Sequence, residues 1–433
     1  MLAEFEPITC IPGAPPTERM HAAAPVGRAF AIVLAGGRGT RLGQLTERRA
    51  KPAMFFGGRF RIIDFTLSNC VNSGVGRIGV VTQYNAHSLH RHIRGSIGLR
   101  AAERGMTVDM MPPLEHLRDE PPYRGTADAV HRNLPRVQTS RPDYVLVLAG
   151  DHVYKMDYSV MLRDHVEGGR PCSIGSVRVP RRDASGFGVM AVDAHRNVIA
   201  FSEKPAQPIA TPDDTASSLV SMGIYIFDAD YLYRLLAEDT LNPASSHDFG
   251  HDVIPRIVAD GLARAHPFAM SCVGGVPGAE HYWRDVGTID AFWAANVELA
   301  EGRPGFAVDS THWPIWTHQQ PLPPAQILDR RHGDIEHTIV SDGSIVSAST
   351  VRCSLLFPGV RIGASCRLDQ AVLLPDTRIG RGCRLTKVVV DRGCTVPDGL
   401  VIGEDPKDDA CRFARTANGV VLVTREMLRH LGT

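Results

Sequence analysis

The fold is decided by the stretch Ala29-Phe30-Ala31-Ile32-Val33-Leu34-Ala35-Gly36-Gly37-Arg38-Gly39-Thr40-Arg41-Leu42, in which an apolar run ends in a glycine-rich turn. Six consecutive apolar residues without polar alternation are typical of a strand that is buried on both faces of a parallel sheet. Glycines after such a strand let backbone N–H groups approach a chain of phosphates, because no Cβ stands in the way. We therefore expect a buried strand followed by a phosphate-binding turn.

The same pattern continues to about residue 300. Apolar runs at 77–82 and 144–148 repeat the first strand, and helical stretches at 86–97, 157–167 and 289–300 lie between and after them. Strands that alternate with helices predict a doubly wound, mostly parallel α/β sheet, similar to a Rossmann sheet. Because ligands bind beyond the carboxyl ends of the strands in such sheets, the residues that follow each run are the candidates for a site.

The C-terminal part follows a different period. Ile345, Ile362, Ile379 and Val396 are each 17 residues apart. A repeat of this length, built from hexapeptide-like steps, is typical of the coils of a β-helix. Cys366 and Cys383 keep the same spacing, and we interpret them as inward packing positions.

These periods predict four parts of the chain. They are a flexible leader at 1–28, an α/β domain at 29–301, a packed linker at 302–324 and a β-helix domain at 325–433. The linker contains Trp313-Pro314-Ile315-Trp316, whose aromatic residues favour packing against a neighbouring domain.

Composition excludes several classes of protein. The chain has 433 residues with 47 Lys+Arg against 47 Asp+Glu, so net charge gives no reason to bind nucleic acid or an anionic membrane. No apolar run reaches the length of about 20 residues that spans a bilayer. The leader has no long apolar core of a signal peptide, and none of the nine cysteines forms a C-x-x-C pair. We expect a cytoplasmic protein with reduced thiols.

Positive charge is concentrated near the glycine turn. Arg38, Arg41 and Lys51 fall within 14 positions of one another after the first strand. Fixed cations at this place suit a bound pyrophosphate. The spacing matches neither the dinucleotide fingerprint nor the Walker A loop. A glycine-rich turn alone is also common in purely structural loops, so the cations carry the functional interpretation.

Two carboxylates and a lysine are further candidates for residues that bind a metal ion or a substrate phosphate. Asp151 directly follows the strand at 144–148, where it could hold Mg²⁺ or cap a turn. Asp285 could be a second metal carboxylate or the cap of the helix that begins near Ile289. Lys204 closes a predicted hairpin that starts near Phe187, where it could bind a sugar phosphate or remain in solvent.

Several motifs together resemble one family, the bacterial ADP-glucose pyrophosphorylases (glucose-1-phosphate adenylyltransferases). The resemblance extends from about residue 30 to the C-terminus. The motifs that carry it are Gly36-Gly37-Arg38-Gly39-Thr40-Arg41-Leu42, Lys51-Pro52-Ala53, Arg61-Ile62-Ile63-Asp64-Phe65-Thr66-Leu67-Ser68-Asn69, Tyr123-Arg124-Gly125-Thr126-Ala127-Asp128, Ala149-Gly150-Asp151-His152, Glu203-Lys204-Pro205 and Trp283-Arg284-Asp285-Val286-Gly287-Thr288.

The resemblance implies an activity and an assembly. The family transfers the adenylyl group of ATP to α-D-glucose 1-phosphate, giving ADP-glucose and pyrophosphate, in the committed step of glycogen synthesis. It also implies a left-handed β-helix after the nucleotidyltransferase domain, a homotetramer and allosteric control. The β-helix domain would serve regulation and oligomerisation.

The resemblance also assigns roles to residues by position. Asp151 and Asp285 would hold the catalytic Mg²⁺, and Arg41 and Lys51 would act with them on the phosphates. The nucleotide-binding residues would be Gly36, Gly37, Arg38, Gly39, Thr40, Gln83 and Tyr123. The residues for glucose 1-phosphate would be Tyr123, Gly188, Glu203, Lys204 and Ser221, with Lys204 on the phosphate.

At two regulatory positions, this chain has residues that differ from those of one branch of the family. The branch activated by fructose 1,6-bisphosphate has Lys and His where this chain has Arg48 and Phe55. We expect an effector site between the two domains, and the residues assigned to it are Arg48, Arg49, Arg61 and Arg415. The activator could be a sugar phosphate or a pyruvate-type acid, and an AMP-type inhibitor is expected. These arginines could instead form surface or interface ion pairs.

Three other functions share parts of this pattern. A sister nucleotidyltransferase would use UTP or dTTP on the same sheet. A bifunctional enzyme would add acetyltransferase activity, but the tail is short for it and has no histidine between His337 and His430. A non-catalytic regulatory subunit would be expected to lose a cation or carboxylate of the site, whereas Lys51, Asp151 and Asp285 are all present.

Overall fold

The structure is a computed structural model that describes most of the chain. The residues described are 25–37, 39–47, 49–84, 86–112, 122–275, 281–302, 306–308, 310–329 and 333–431. Most of the predicted leader, residues 1–24, and the site candidates Arg38 and Arg48 lie outside them.

The N-terminal part of the chain combines strands and helices in alternation. The strands are β1 (Ala29–Leu34), β2 (Phe55–Phe56), β3 (Phe60–Arg61), β4 (Arg77–Val81), β5 (Thr107–Met111), β6 (Tyr144–Ala149), β7 (His152–Tyr154), β8 (Cys172–Pro180), β9 (Gly188–Val192), β10 (Val198–Glu203), β11 (Ser217–Asp228), β12 (Ala263–Pro267) and β13 (Trp283–Asp285). The helices are α1 (Ile62–Asn72), α2 (His87–Gly95), α3 (Ile97–Glu103), α4 (Thr126–Gln138), α5 (Tyr158–Gly168), α6 (Ala229–Thr240), α7 (Ile254–Ala259) and α8 (Ile289–Ala300). Short 3₁₀ turns cover Thr40–Thr46 and Lys51–Ala53.

A mixed sheet forms the centre of this domain. Strands β5, β4, β1 and β6 run parallel in that order, and β11 continues the sheet antiparallel to β6. Leu34 in β1 lies opposite Val81 in β4 and Ala149 in β6, so three strands end at one edge. The residues that follow these strands therefore meet at that edge, and the sheet confirms the doubly wound fold.

Two of the predicted helices have nearly the predicted limits. Helix α8 covers the predicted 289–300, and helix α5 begins after Asp157, whose side chain accepts a hydrogen bond from the backbone N–H of Ser159. The helix expected at 86–97 is confirmed as α2, which ends at Gly95. Ser96 separates it from α3, because Ser96 has non-helical backbone angles and donates its hydroxyl to the His92 carbonyl.

The C-terminal part is a stack of short parallel strands. They are β14 (Gln326–Leu328), β15 (Ile335–Glu336), β16 (Ile339–Val340), β17 (Ile345–Ser347), β18 (Thr350–Arg352), β19 (Leu355–Leu356), β20 (Arg361–Ile362), β21 (Arg367–Leu373), β22 (Arg378–Ile379), β23 (Arg384–Val390), β24 (Thr395–Val396), β25 (Val401–Ile402), β26 (Ala414–Arg415) and β27 (Val421–Val423), with helices α9 (Pro406–Arg412) and α10 (Arg425–Arg429). All these strand pairs are parallel except β26 with β27.

On the face that contains β20, the 17-residue period sets the register of this β-helix from Ile362 onward. Ile362 pairs with Ile379, and Ile379 pairs with Val396. The expected alignment of Ile345 with Ile362 is wrong, because Val346 pairs with Ile362 and is buried while Ile345 is half-buried. The coil that leads from β17 to β20 is one residue shorter, so the inward position moves by one. Cys366 and Cys383 are buried inside the coils as expected.

The two domains share one hydrophobic cluster. Phe56, Phe65 and Phe292 of the α/β domain pack in the same cluster as Phe357 and Leu422 of the β-helix. None of the described helices has the length and apolarity needed to cross a membrane. The eight cysteines in the described ranges are all free thiols.

The linker packs against helix α1. Trp313 donates its indole N–H to the side chain of Asn69 at 2.9 Å, and Asn72 donates to the carbonyl of Pro314 at 2.9 Å. The backbone N–H of Trp316 donates to the Ser68 hydroxyl. Polar groups on an otherwise apolar helix thus hold the chain as it passes from one domain to the other.

Candidate active site

A cleft of about 600 Å³ opens at the edge of the sheet where β1, β4 and β6 end. All the described residues assigned above to catalysis, nucleotide, sugar phosphate or metal line it. They are Gly36, Gly37, Gly39, Thr40, Arg41, Lys51, Gln83, Tyr123, Asp151, Gly188, Glu203, Lys204, Ser221 and Asp285. The structure thus brings together residues that lie more than 200 positions apart in the sequence.

Lys51 occupies the centre of the charged part of the cleft. Its Nζ lies 2.9 Å from Asp151 Oδ2 and 2.7 Å from Asp285 Oδ1. The antiparallel pair β7–β13 places Asp285 opposite His152, next to Asp151. Asp285 is not the helix cap that the sequence left open, because the Thr288 side chain accepts the N–H of Ala291 at the start of α8.

Electrostatic interactions keep Lys51 and Asp151 charged. Burial would lower the pKa of Lys51, but the negative charges of Asp151 and Asp285 outweigh burial and raise it. Burial would raise the pKa of Asp151, but the charges of Lys51 and His152 and the hydrogen bond from Lys51 lower it well below its usual value. A buried ammonium between two carboxylates is therefore stable as a fixed positive charge at neutral pH.

The donor set beside Lys51 fits a divalent metal ion. Ligand atoms of Asp151, His152 and Asp285 all lie within 4.8 Å of one another. Lys51 bonds one oxygen of each carboxylate, which leaves Asp151 Oδ1 and Asp285 Oδ2 without a hydrogen bond from Lys51. Within the described residues, the buried Nδ1 of His152 has no hydrogen-bond partner. Carboxylate oxygens are the ligands that Mg²⁺ prefers.

The glycine turn is shaped by close approach to its neighbours. Gly39 has φ of +64°, and a Cβ there would lie 3.2 Å from both Lys51 Cβ and Thr46 Cγ2. This left-handed conformation favours glycine on backbone grounds as well. Arg41 follows in the same turn, is largely exposed, and points a guanidinium nitrogen to within 3.8 Å of Asp285 Oδ2.

The opposite wall of the cleft carries the candidates for the sugar phosphate. Lys204 is exposed, and its Nζ lies 2.6 Å from Glu203 Oε1. A Cβ at Gly188 would lie 2.9 Å from Glu203 Oε2, and one at Gly250 would lie 2.6 Å from the same oxygen. Two glycines therefore leave room for the Glu203 carboxylate at the wall.

Several cleft residues were not identified from the sequence. The segment Asp248-Phe249-Gly250 lines the cleft, and Tyr225 stacks on Phe249 at 5.8 Å. Nothing in the local sequence of this segment indicates a site, because it follows helix α6 rather than a strand. Arg124 and Thr126 also line the cleft. They lie inside a motif already quoted, so that motif was the signal that could have found them.

Known proteins resemble both domains. Residues 30–302 match the nucleotidyl transferase family, and residues 323–423 match the GlmU-like C-terminal hexapeptide family. The glucose-1-phosphate adenylyltransferases of Francisella tularensis subsp. holarctica (strain LVS) and subsp. tularensis are each 52% identical over 408 residues, or 93% of this chain and 96% of the relative. The chain belongs to the glucose-1-phosphate adenylyltransferase family. This membership confirms the resemblance, the enzyme class and the fold of an α/β sheet followed by a left-handed β-helix.

A second cleft of about 500 Å³ lies between the two domains. Arg49 lines it and pairs with Asp391 at 3.1 Å across the domain boundary. Three arginines that the sequence did not single out line it too, namely Arg392, Arg425 and Arg429. Acidic side chains share the lining, among them Asp376, Asp391 and Glu426.

Arg61 and Arg415, which were also assigned to an effector site, are not among the described residues that line this cleft. The Arg61 guanidinium lies 4.9 Å from the centre of the Phe55 ring, and Arg392 approaches the same ring at 5.8 Å. Burial lowers the pKa of Arg61 to about 10; the neighbouring charge of Asp64 opposes this, while Arg392 and Arg49 add to it. Arg415 lies on β26 and is not among the described residues that line the cleft.

Proposed function

We propose that this chain transfers the adenylyl group of ATP to α-D-glucose 1-phosphate and releases pyrophosphate, as the committed step of glycogen synthesis. The observation that carries the proposal is the contact of Lys51 with both Asp151 and Asp285, in one cleft with the glycine turn and with Glu203 and Lys204. Cations at both ends suit two anionic substrates that must be brought together. The names of the Francisella relatives support the same reaction.

The residues of the cleft would act mainly by position and charge. A phosphate oxygen of glucose 1-phosphate attacks the α-phosphorus of ATP, and pyrophosphate leaves in line. Arg41 and the turn at Gly36–Gly39 hold the phosphates of ATP, while Lys204 holds the phosphate of the sugar. Lys51 is fixed at the point where charge changes during transfer, and it needs no rearrangement to stabilise that charge.

Magnesium is the metal that we propose for this cleft. Asp151 and Asp285 would hold it through the oxygens that Lys51 leaves free, and Mg²⁺, when bound, would neutralise charge on the phosphates. Gln83 supports a place for the nucleotide base, because its buried Nε2 has no hydrogen-bond partner within the described residues. That amide is available to a ligand.

Pyrophosphate release tests the reaction. Wild-type protein is assayed with glucose 1-phosphate, Mg²⁺ and each of ATP, UTP, dTTP and GTP in turn, and Asp151→Asn serves as the blank. Asp213→Asn is the matched control, because Asp213 is an exposed carboxylate that pairs with Arg178 away from the cleft. We expect a strong preference for ATP, a loss of at least about 1,000-fold in the blank and full activity in the control.

Each other outcome selects a different function. A preference for UTP or dTTP keeps the fold and the mechanism but assigns the chain to a sister reaction. No release with any nucleotide, with effectors present, supports a regulatory subunit instead. Activity that survives in Asp151→Asn contradicts the assigned role of the carboxylates.

We also propose that the cleft between the domains binds an anionic effector. The guanidinium groups of four arginines line this cleft. Arg392 lies beside the Phe55 ring, and Arg49 bridges to Asp391 of the β-helix. Such a concentration of positive charge suits a phosphorylated or carboxylated metabolite. Fructose 6-phosphate, fructose 1,6-bisphosphate, pyruvate and AMP are to be added one at a time. Arg425→Ala should raise the concentration of effector needed for half activation by about tenfold. Arg182→Ala, an exposed arginine remote from the cleft, should leave it unchanged.

Assembly and location complete the proposal. We propose a homotetramer that works in the cytoplasm, which free thiols and family membership support. Light scattering at several protein concentrations measures the assembly. A mass of one chain at working concentration would contradict the tetramer.

A further inference from the structure

His247 has an unusual conformation for a buried side chain. Its φ is +59°, in the left-handed region that L-residues rarely adopt, and its side chain is almost fully buried. A hydrogen-bond ring holds it there. The Nδ1–H donates to Asp239 Oδ2 at 2.8 Å, the backbone N–H donates to Ser245 Oγ at 2.9 Å, and Ser245 Oγ donates to Asp239 Oδ1 at 2.7 Å.

This ring directs the carbonyl of His247 at helix α4. The carbonyl oxygen accepts the N–H groups of Ala127 at 2.8 Å and Asp128 at 3.3 Å, which would otherwise be unpaired in the first turn of the helix. Gly125 passes so close that a Cβ there would lie 2.3 Å from the same oxygen. The position of His247 therefore fixes where the segment at 124–126 enters the cleft.

Asp248, the residue after His247, links Thr126 at the start of helix α4 to Gly250. Asp248 Oδ2 accepts the Thr126 hydroxyl at 3.0 Å, and Asp248 Oδ1 accepts the N–H of Gly250 at 2.9 Å. Thr126 Oγ1 also accepts the N–H of Phe249. Gly250 in turn packs directly on the carboxylate of Glu203, the residue assigned to the sugar.

We propose that Asp239 and His247 are positioning residues for the sugar-phosphate half of the cleft. Neither of them lines the cleft, so they act through the wall that Thr126, Asp248 and Gly250 form beside Glu203. The inference rests on the proposed function for the identity of the substrate. Because this wall is already ordered, the binding of glucose 1-phosphate carries a smaller entropic cost.

The test separates the two substrates kinetically. In Asp239→Asn and in His247→Asn, we expect the KM for glucose 1-phosphate to rise by about tenfold, with the KM for ATP and kcat changed by less than about twofold. Asparagine is chosen at 247 because it tolerates a positive φ but is too short to reach Asp239. The double variant should be no worse than either single variant, because both remove the same link.

The chain offers a matched control. Asp164 and His266 form a comparable buried pair, with Nδ1 2.7 Å from the carboxylate oxygen and a fully buried ring, and neither residue lines the cleft. Asp164 also pairs with Arg196 and Arg264, so its substitution removes more contacts than that of Asp239. Asp164→Asn should lower the melting temperature without changing the ratio of the two KM values. If Asp239→Asn behaves like this control, or raises both KM values equally, the pair is only structural and the proposal is overturned.

Hydrogen exchange provides a readout that does not need turnover. Loss of the ring should speed exchange at the amides of Ala127, Phe249 and Gly250, whereas Asp164→Asn should not. Unchanged exchange at these amides overturns the proposal even if the enzyme is active. If the wild-type protein releases no pyrophosphate but exchange changes as expected, the proposed function fails while the positioning of the wall stands.

Discussion

Single residues in this cleft are constrained by what they touch. Lys51 contacts two carboxylates that lie 100 and 234 positions away in sequence, and no local pattern encodes that meeting. Gly250 is constrained in the same manner by the Glu203 carboxylate. The chemistry of each side chain could be predicted from its residue type, whereas its contact partner is determined by the tertiary structure.

Gly250 provides a test of the sugar wall. Gly250→Ala places a Cβ 2.6 Å from Glu203 Oε2, so the carboxylate must move. We expect the KM for glucose 1-phosphate to rise by about tenfold or more. Gly186→Ala is the matched control, since Gly186 also lines the cleft but its Cβ would meet nothing within 4 Å. Equal kinetics in both variants would show that Glu203 does not contact the sugar.

A substitution at Lys204 tests the proposed contact with the phosphate group of glucose 1-phosphate. Lys204→Gln removes the positive charge and should raise the KM for glucose 1-phosphate by about 10- to 100-fold, with a smaller effect on kcat. The KM for ATP should hardly change, because the glycine turn lies on the opposite wall. Lys407→Gln, at an exposed position on α9, is the control. A fall in kcat alone would place Lys204 at the reacting phosphorus instead.

At the scale of elements, the limits of two predicted helices coincide with capping side chains that the structure shows. Thr288 caps α8 and Asp157 caps α5, and both helices begin where the sequence predicts. The break between α2 and α3 at Ser96 had no such signal. In the β-helix, the 17-residue period predicted the register from Ile362 onward but not the shorter step from Val346 to Ile362.

Helix α4 provides a prediction about pH. Burial would raise the pKa of Asp128, but hydrogen bonds from the backbone and side chain of Arg124 and the charge of Arg132 lower it below 3.8. A carboxyl group with a lowered pKa stabilises the fold fully above its unfolded pKa, and this contribution is lost as pH falls through the folded value. Asp128→Asn should therefore lower the free energy of unfolding by about 1–3 kcal/mol at pH 7.

The difference between Asp128→Asn and wild type should narrow as the pH falls below about 4. Urea unfolding at a series of pH values measures this difference. Asp109→Asn, at an exposed position on β5, is the control and should show no difference at any pH. A gap that widens in acid would mean that the pKa of Asp128 is raised rather than lowered.

At the scale of the whole molecule, the two domains are not independent. Their shared cluster buries Phe56, Phe65 and Phe292 against Phe357 and Leu422. Asp290 at the start of α8 accepts the hydroxyl of Thr416 at 2.6 Å and the amide of Asn418 at 3.2 Å, both from the β-helix. Because α8 follows β13, this contact lies five residues from Asp285 in the active-site cleft.

Truncation tests this shared core. A chain that ends at residue 324 lacks the β-helix half of the cluster and exposes its phenylalanines to water. We expect it to lose cooperative unfolding, and to bind a hydrophobic dye, because part of its core has no partner. Near-ultraviolet circular dichroism and thermal unfolding compare it with the full chain. A cooperative transition in the fragment would show that the α/β domain folds by itself.

The sequence by itself determined the classes of structure and chemistry in this protein. Apolar runs that end in glycine specify a parallel sheet, a 17-residue period specifies β-helix coils, and cations and carboxylates after strands mark the site, because each depends on neighbours close in the chain. Only the tertiary structure decided that Lys51 joins Asp151 to Asp285, that Asp248 and Gly250 line the same cleft as Glu203, and that Arg425 and Arg49 line one cleft between the domains. These contacts join distant segments, and their geometry depends on the packing of the whole sheet and β-helix.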